Sequence, residues 1–181
     1  MDERVCKARI RGLFLAHSEQ ILGYAIRRGA SHSDAEDLMI ETFLVCWRRF
    51  DEVADPDLAW LFGVARRLLA NQRRASARRV ALERKVMESA SASAFEDPVL
   101  QRDYDHELQR ALARLQEDER EALLLTAWDG LTAEEAGRVL GCSRRTVFSK
   151  INSARIKLGA FLEQQNCTVA APPDRRKHGD R

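Results

Sequence analysis

The chain predicts an all-α protein: two small helical domains joined by a flexible linker, the second containing a helix-turn-helix. Three observations carry that prediction. No run alternates apolar and polar residues as a half-buried strand would, whereas apolar residues recur at three- and four-residue spacing through most of the chain. Serine, threonine and glycine punctuate those periodic runs where helices need caps and stops. One stretch, S-A-S-A-S-A-F-E-D-P at Ser89–Pro98, has neither periodicity nor apolar mass and is closed by proline, the composition of a linker. With 181 residues, 45% of them hydrophobic, the chain has material for one domain or two small ones with compact cores.

The elements follow in order. Ile10, Leu13, Phe14, Ile21, Leu22, Ala25 and Ile26 predict an amphipathic first helix ending near Gly29. Ser33 with Glu36 forms a capping box that opens a second helix running to about Phe50, with Leu38, Phe43, Val45, Cys46 and Trp47 as its apolar surface. A loop at Asp51–Asp57 contains Pro56, and Leu58 to about Arg79 is a long helix with Trp60, Leu61, Val64, Leu68 and Leu69 inward and arginines outward. Past the linker, helices are expected at Val99–Leu115 and Asp118–Trp128. Thr132 with Glu135 is a further capping box, starting a short helix that Gly141 stops. Ser143 caps the last helix, whose Val147, Ile151, Ala154 and Leu158 form its buried stripe, and Ala136 is small enough to let the two helices cross closely. Leu108, Leu112, Leu115, Leu123, Leu124, Leu131, Val139, Leu140, Val147 and Ile151 are the core candidates of the second domain. The reading divides the chain into a first domain at 1–86, a linker at 87–103, a second domain at 104–164 and a disordered tail at 165–181.

Charge is segregated along the chain, so the formal net charge of +2 says little as a total. From Asp34 to Asp57 the acids Asp34, Glu36, Asp37, Glu41, Asp51, Glu52, Asp55 and Asp57 face only Arg48 and Arg49; from Arg66 to Lys85 the balance inverts, with Glu83 the lone acid. Such asymmetry points to separate surfaces for separate partners. Cys6, Cys46, Cys142 and Cys167 lack metal-ligand or disulfide-framework spacing, so a reducing cytoplasm is expected. Arg4, Lys7, Arg9 and Arg11 interrupt any apolar run at the N-terminus, and no span reaches the ~20 apolar residues of a membrane helix, so the chain is expected to be soluble, with no membrane insertion.

The helix-turn-helix carries the most specific chemistry. Its last helix has no acidic residue from Ser143 to Phe161 and sets Arg144, Arg145, Phe148, Ser149, Lys150, Asn152 and Arg155 outside the buried stripe, a surface for the phosphate-lined major groove. Arg144 and Arg145 lie at its N-terminus, where side chains and backbone N–H groups reach phosphates. Ser149, Lys150 and Asn152 suit base edges, and Phe148 a thymine methyl. In the first domain Asp34, Asp37 and Glu41 share a helix face, which is either a solvated face or a site for a basic partner. Trp60 with the arginine-rich helix after it, Arg66, Arg67, Asn71, Arg73 and Arg74, combines stacking and phosphate contacts suited to an unpaired strand; Trp60 in the core is the alternative.

These motifs resemble the extracytoplasmic-function, or group IV, sigma factors of the sigma-70 family. D-A-E-D-L-M-I-E-T-F-L-V-C-W-R-R at Asp34–Arg49 is similar to that family's D-A-E-D-L-x-Q-E-x-F-x-x-x-W segment. A-W-L-F-G-V-A-R-R-L-L-A-N-Q-R-R at Ala59–Arg74 is similar to its A-W-L-x-x-I-A-R-N helix, and A-L-A-R-L-Q-E-D-E-R-E-A-L-L-L at Ala111–Leu125 to its A-L-x-x-L-P-x-x-x-R-x-x-x-x-L pattern. The resemblance covers Leu13–Leu162, with departures at Ile40 (usually Gln), Gln116 (usually Pro) and Arg67 (often Asn), the last bearing on base preference. It implies binding to core RNA polymerase through Asp34, Asp37, Leu38, Glu41, Phe43 and Trp47, and −10 recognition through Trp60, Arg66, Arg67, Asn71, Arg73 and Arg74, with a flipped base captured by the loop Phe50–Asp57. It also implies −35 recognition by the helix-turn-helix and an anti-sigma partner.

Two rival classes are weaker. No HExxH, Walker loop or GxSxG accompanies the acids, and His17, His32, His106 and His178 are isolated, so no enzyme, cofactor, metal or small-molecule substrate is expected. A stand-alone helix-turn-helix regulator would need a dimerisation surface or effector pocket where this chain has an acidic helix followed by an arginine-rich one.

Overall fold

The computed structural model describes residues 3–53, 56–87, 108 and 110–169, and among them every regular element is helical. Helices α1 (Glu3–Arg27), α2 (His32–Arg48) and α3 (Leu58–Met87) form the first half. A helical turn at 110–113 leads into α4 (Glu117–Ala127), followed by α5 (Ala133–Leu140) and α6 (Arg144–Val169). The linker Ser89–Pro98 and nearly all of the helix expected at Val99–Leu115 lie outside the described residues, as does the tail beyond Val169.

In the first half, α1, α2 and α3 pack mutually around Ile21, Tyr24, Leu38, Cys46, Leu61 and Phe62. Phe14 meets Phe43 edge-on with ring centroids 5.0 Å apart, a favourable aromatic arrangement. The cap of α2 is Ser31 and not Ser33: the Ser31 hydroxyl accepts from the Asp34 backbone N–H at 3.1 Å. Two serines two residues apart both offer a cap, and the chain takes the one that lengthens α2 by two residues, with Asp34 near its positive end. Asp57 caps α3, accepting from the Trp60 backbone N–H at 2.8 Å.

In the second half, Leu112, Leu115, Leu123, Leu124, Leu131, Val139, Val147 and Ile151 are buried as expected, and Leu140 partly so. Leu108 is exposed instead. The buried residues of both halves form one continuous cluster, because α3 packs against α5. Helix α6 continues past the Gln164 boundary expected of the second domain, to Val169.

Candidate nucleic-acid and partner interfaces

The helix-turn-helix is assembled by local chemistry. The Thr132 hydroxyl accepts from the Glu135 backbone N–H at 3.3 Å while the Glu135 carboxylate accepts from the Thr132 N–H at 2.8 Å, so α5 begins with two orphan donors satisfied reciprocally. Those hydrogen bonds from Thr132 hold the Glu135 carboxyl below the usual carboxylate range. Gly141 ends α5 with φ +68, in the left-handed region where a side chain is strained, and the Cys142 N–H closes onto the Gly137 carbonyl at 3.0 Å. Ser143 accepts from the Thr146 N–H at 3.2 Å and starts α6.

Close approach of the turn depends on Gly137 as well as on fully buried Ala136: a Cβ built on Gly137 would lie 2.7 Å from the Cys142 carbonyl oxygen. The sequence signal for it is only a small residue one turn before the stop.

Helix α6 buries Val147, Ile151 and Ala154, partly covers Leu158, and leaves Arg144, Arg145, Phe148, Ser149, Asn152 and Arg155 exposed. The Arg144 guanidinium carbon lies 5.3 Å from the centroid of the Phe148 ring, a cation–π distance that orders the first turn of the helix. Lys150, also expected to reach base edges, is half-buried and paired. Its Nζ donates to Asp118 of α4 at 3.0 Å, on the flank of α6. Behind it, Glu119 accepts from Ser153 Oγ and from Lys157 Nζ, each at 2.7 Å, and those two bonds hold its carboxyl below the usual carboxylate range. Helix α4 thus clamps the far side of the recognition helix while the opposite side stays open.

On α2 the expected partner-binding residues divide. Asp34, Asp37, Glu41 and Trp47 are exposed, but Leu38 and Phe43 are buried in the core and face α1 and α3. The apolar residues beside the acids on the outer surface are Ile40 (51% exposed), Leu44 (47%) and Trp47 (40%), which recur four and three residues apart and so make one stripe. Sequence periodicity missed Ile40 and Leu44 because α2 is apolar on two sides.

The α3 set divides as well. Arg67, Asn71 and Arg74 lie seven, eleven and fourteen residues on from Trp60, which places the four on one face of the helix. Trp60 is half-buried, its ring packed against the core with an edge outside. Arg67 donates to the Gly63 carbonyl at 3.2 Å and Arg74 to Asn71 Oδ1 at 2.6 Å. Arg66 and Arg73 lie on the adjacent face and, with Glu117 and Glu121 of α4, line a narrow cleft between the two halves. Phe50 is buried beneath the Arg9 guanidinium, so the flipped-base loop expected at Phe50–Asp57 begins with a core residue.

Among the described residues no cluster of three or more His, Cys, Asp or Glu has metal-binding geometry, and no helix is long and apolar enough to cross a membrane.

Residues 13–79 match the family model described as Sigma-70 region 2, and residues 105–158 that of Sigma-70, region 4. The ECF RNA polymerase sigma factor EcfG of Rhodopseudomonas palustris is 30% identical over 172 residues, covering 91% of each chain. The ECF RNA polymerase sigma factor SigL of Mycobacterium tuberculosis is 28% identical over 169 residues, 89% of this chain and 93% of SigL. Among solved structures, the sigma factor RpoE of Bartonella quintana in complex with the anti-sigma factor NepR superposes with a TM-score of 0.64 at 26% identity, covering 84% of this chain and 96% of RpoE. CnrH in complex with the cytosolic domain of CnrY gives a TM-score of 0.65 at 26% identity, covering 87% and 90%.

Proposed function

This chain belongs to the ECF group of the sigma-70 family, the RNA polymerase sigma factors, and on that premise we propose how its surfaces divide the work of transcription initiation. The observation that carries the proposal is the coexistence of two unlike surfaces. One is an acidic and apolar face on α2, the other an acid-free outer face on α6.

The α2 face docks on core polymerase. Asp37 and Glu41 repel DNA and attract a basic partner, while Ile40, Leu44 and Trp47 supply the apolar area that a stable protein contact needs. Leu38 and Phe43 support this face from the core without touching the partner.

The α6 face reads the −35 element. Arg144 and Arg145 take phosphates at the helix N-terminus, and Phe148, Ser149 and Asn152 reach base edges, with Arg155 on the backbone farther along. Lys150, tied to Asp118, contributes charge at the edge of this footprint. On α3, Trp60, Arg67, Asn71 and Arg74 present a stacking group and cations along one face for the unpaired −10 strand, with exposed Arg73 and part-buried Arg66 on the adjacent face adding to the positive charge.

The protein acts without catalysing a reaction, in the cytoplasm where polymerase works. A partner chain holds each of the two structural neighbours, an anti-sigma factor in one of them. That supports an anti-sigma partner here too.

The test is permanganate footprinting on one promoter with protein alone, core alone and both together, beside run-off transcription. Strand opening only with both is expected, because a single small helix-turn-helix buries little area and gains from being tethered. Opening or palindromic protection by the protein alone overturns the proposal.

A further inference from the structure

Helix α6 has two unlike sides flanking its outer face. Arg144, Phe148 and Arg155, four and seven residues apart, share one side and are exposed. Lys150, Ser153 and Lys157, three and four residues apart, share the other, which is the side bonded to α4. Ser149 and Asn152 stand on the outer face between them. The cations of the two sides are held differently. Asp118 accepts from Lys150 Nζ at 3.0 Å, and both oxygens of Glu119 accept from Lys157 Nζ at 2.7 Å. Ser153 Oγ donates to the same Glu119 carboxylate at 2.7 Å. The inner acid, Glu119, has a side chain only 10% exposed and fixes the junction, whereas Asp118 at the rim is 58% exposed. Arg144 instead lies over the Phe148 ring, an uncharged partner that leaves its positive charge in place.

An α-helix with its side chains is about 10–12 Å across and the major groove about 12 Å wide, so a helix in the groove has each flank against one phosphate wall. The two walls are the backbones of different strands. An ion pair 3.0 Å across is far tighter than the ~8 Å over which salt screens charge at physiological ionic strength, so a phosphate meets the Asp118–Lys150 pair as nearly neutral.

We propose that Asp118 and Glu119 make the hold of α6 on duplex DNA one-sided. Arg144 and Arg155 grip the backbone of one strand, and the α4 acids cancel Lys150 and Lys157, so this helix leaves the backbone of the other strand ungripped. Asp118 is a positioning residue: it acts through Lys150 and touches no base. The proposal rests on the assignment of α6 to the −35 duplex.

Neutral methylphosphonate linkages, placed one at a time along each strand of the −35 region, test this with the full chain assembled on core polymerase. The promoter is one that the wild-type holoenzyme selects from a random run-off library. Linkages whose penalty disappears in Arg144→Ala or Arg155→Ala should all lie on one strand. Asp118→Asn changes an exposed side chain, so helical circular dichroism should be retained, and it should add penalised linkages on the opposite strand. Its gain in affinity over wild type should shrink about 3.5-fold between roughly 50 and 200 mM salt, the change that one added phosphate contact produces. In a Lys150→Gln background the same Asp118→Asn change should add no penalised linkage. Glu19→Gln, an equal change of charge at an exposed position of α1, should follow wild type. Wild-type penalties on the second strand that disappear in Lys150→Gln, an Asp118→Asn protein that matches Glu19→Gln, or an Asp118→Asn gain that persists in full without Lys150 overturns the one-sided hold. Arg144→Ala and Asn152→Ala proteins that behave as wild type at every −35 position would instead reject the assignment of α6, an outcome read without any change at Asp118.

Discussion

Replacing Gly137 by alanine should destabilise the helix-turn-helix, although the same change in an exposed helix position stabilises. Residue 137 lies in the interior of α5, where alanine is preferred to glycine by about 1 kcal/mol on conformational grounds. Opposing that gain, the new Cβ would sit 2.7 Å from the Cys142 carbonyl oxygen and 3.6 Å from the Arg144 nitrogen. The first distance is about 0.7 Å short of ordinary contact, and its neighbour is backbone that closes the turn. Forcing a methyl into such a site costs about 1–3 kcal/mol. The obstructing carbonyl is backbone and cannot rotate away, which puts the cost in the upper part of that range, about 2–3 kcal/mol, and leaves a net loss of about 1–2 kcal/mol. Gly159 of α6 is the matched control, since its Cβ would meet nothing within 4 Å, and Gly159→Ala should gain a few tenths to ~1 kcal/mol. Urea titration followed by circular dichroism reads both: at unchanged slope the Gly137→Ala midpoint should fall by roughly 0.5–1 M and the Gly159→Ala midpoint should rise. The displaced turn also re-aims α6, so −35 duplex binding should weaken in Gly137→Ala alone. A Gly137→Ala protein as stable as wild type would refute the close-approach argument.

Other outcomes are equally specific. Arg144→Ala should weaken binding to all sequences and lower the salt slope by about one, whereas Asn152→Ala should relax one base position at roughly 1–3 kcal/mol; equal, sequence-independent losses would reject that division, and Lys150→Ala, paired with Asp118, should resemble neither base-contact loss nor full loss of charge. Reversing Asp37 and Glu41 to lysine should abolish association with core polymerase with stability within about 0.5 kcal/mol of wild type, as measured by co-migration and thermal melting; retained association would remove the α2 interface. The carboxyls of Glu119 and Glu135 are held below the usual carboxylate pKa range in the folded state by their hydrogen bonds, so the unfolded chain binds more protons in the acid range. Their stabilisation is complete above the ordinary carboxylate value near ~4.3 and is lost as pH falls through the lower folded values. Thermal melting between pH 6 and 3 should therefore show a shallower acid decline in Glu119→Gln than in wild type.

Much of the second half was legible because its signals are local. The Thr132–Glu135 box, the Gly141 stop and the Ser143 cap each act within four residues, and each forms where spacing alone places it. Local signals also mislead when they are duplicated: Ser31 and Ser33 both precede acids at capping distance, and only the assembled turn after α1 selects Ser31. Periodicity likewise marks α2 as apolar without saying which apolar side faces inward. Leu38 and Phe43 went to the core and Ile40 and Leu44 to the surface because α1 and α3 close over one side only. The sequence by itself therefore determined the helical class, the helix-turn-helix with its caps, and the family. Tertiary structure alone decided the clasp of Tyr24 and Arg28 on Glu121 and Asp129. Those partners are about a hundred residues apart, and an ion pair that forms only when two separately folded faces exclude water leaves no trace in the spacing of either.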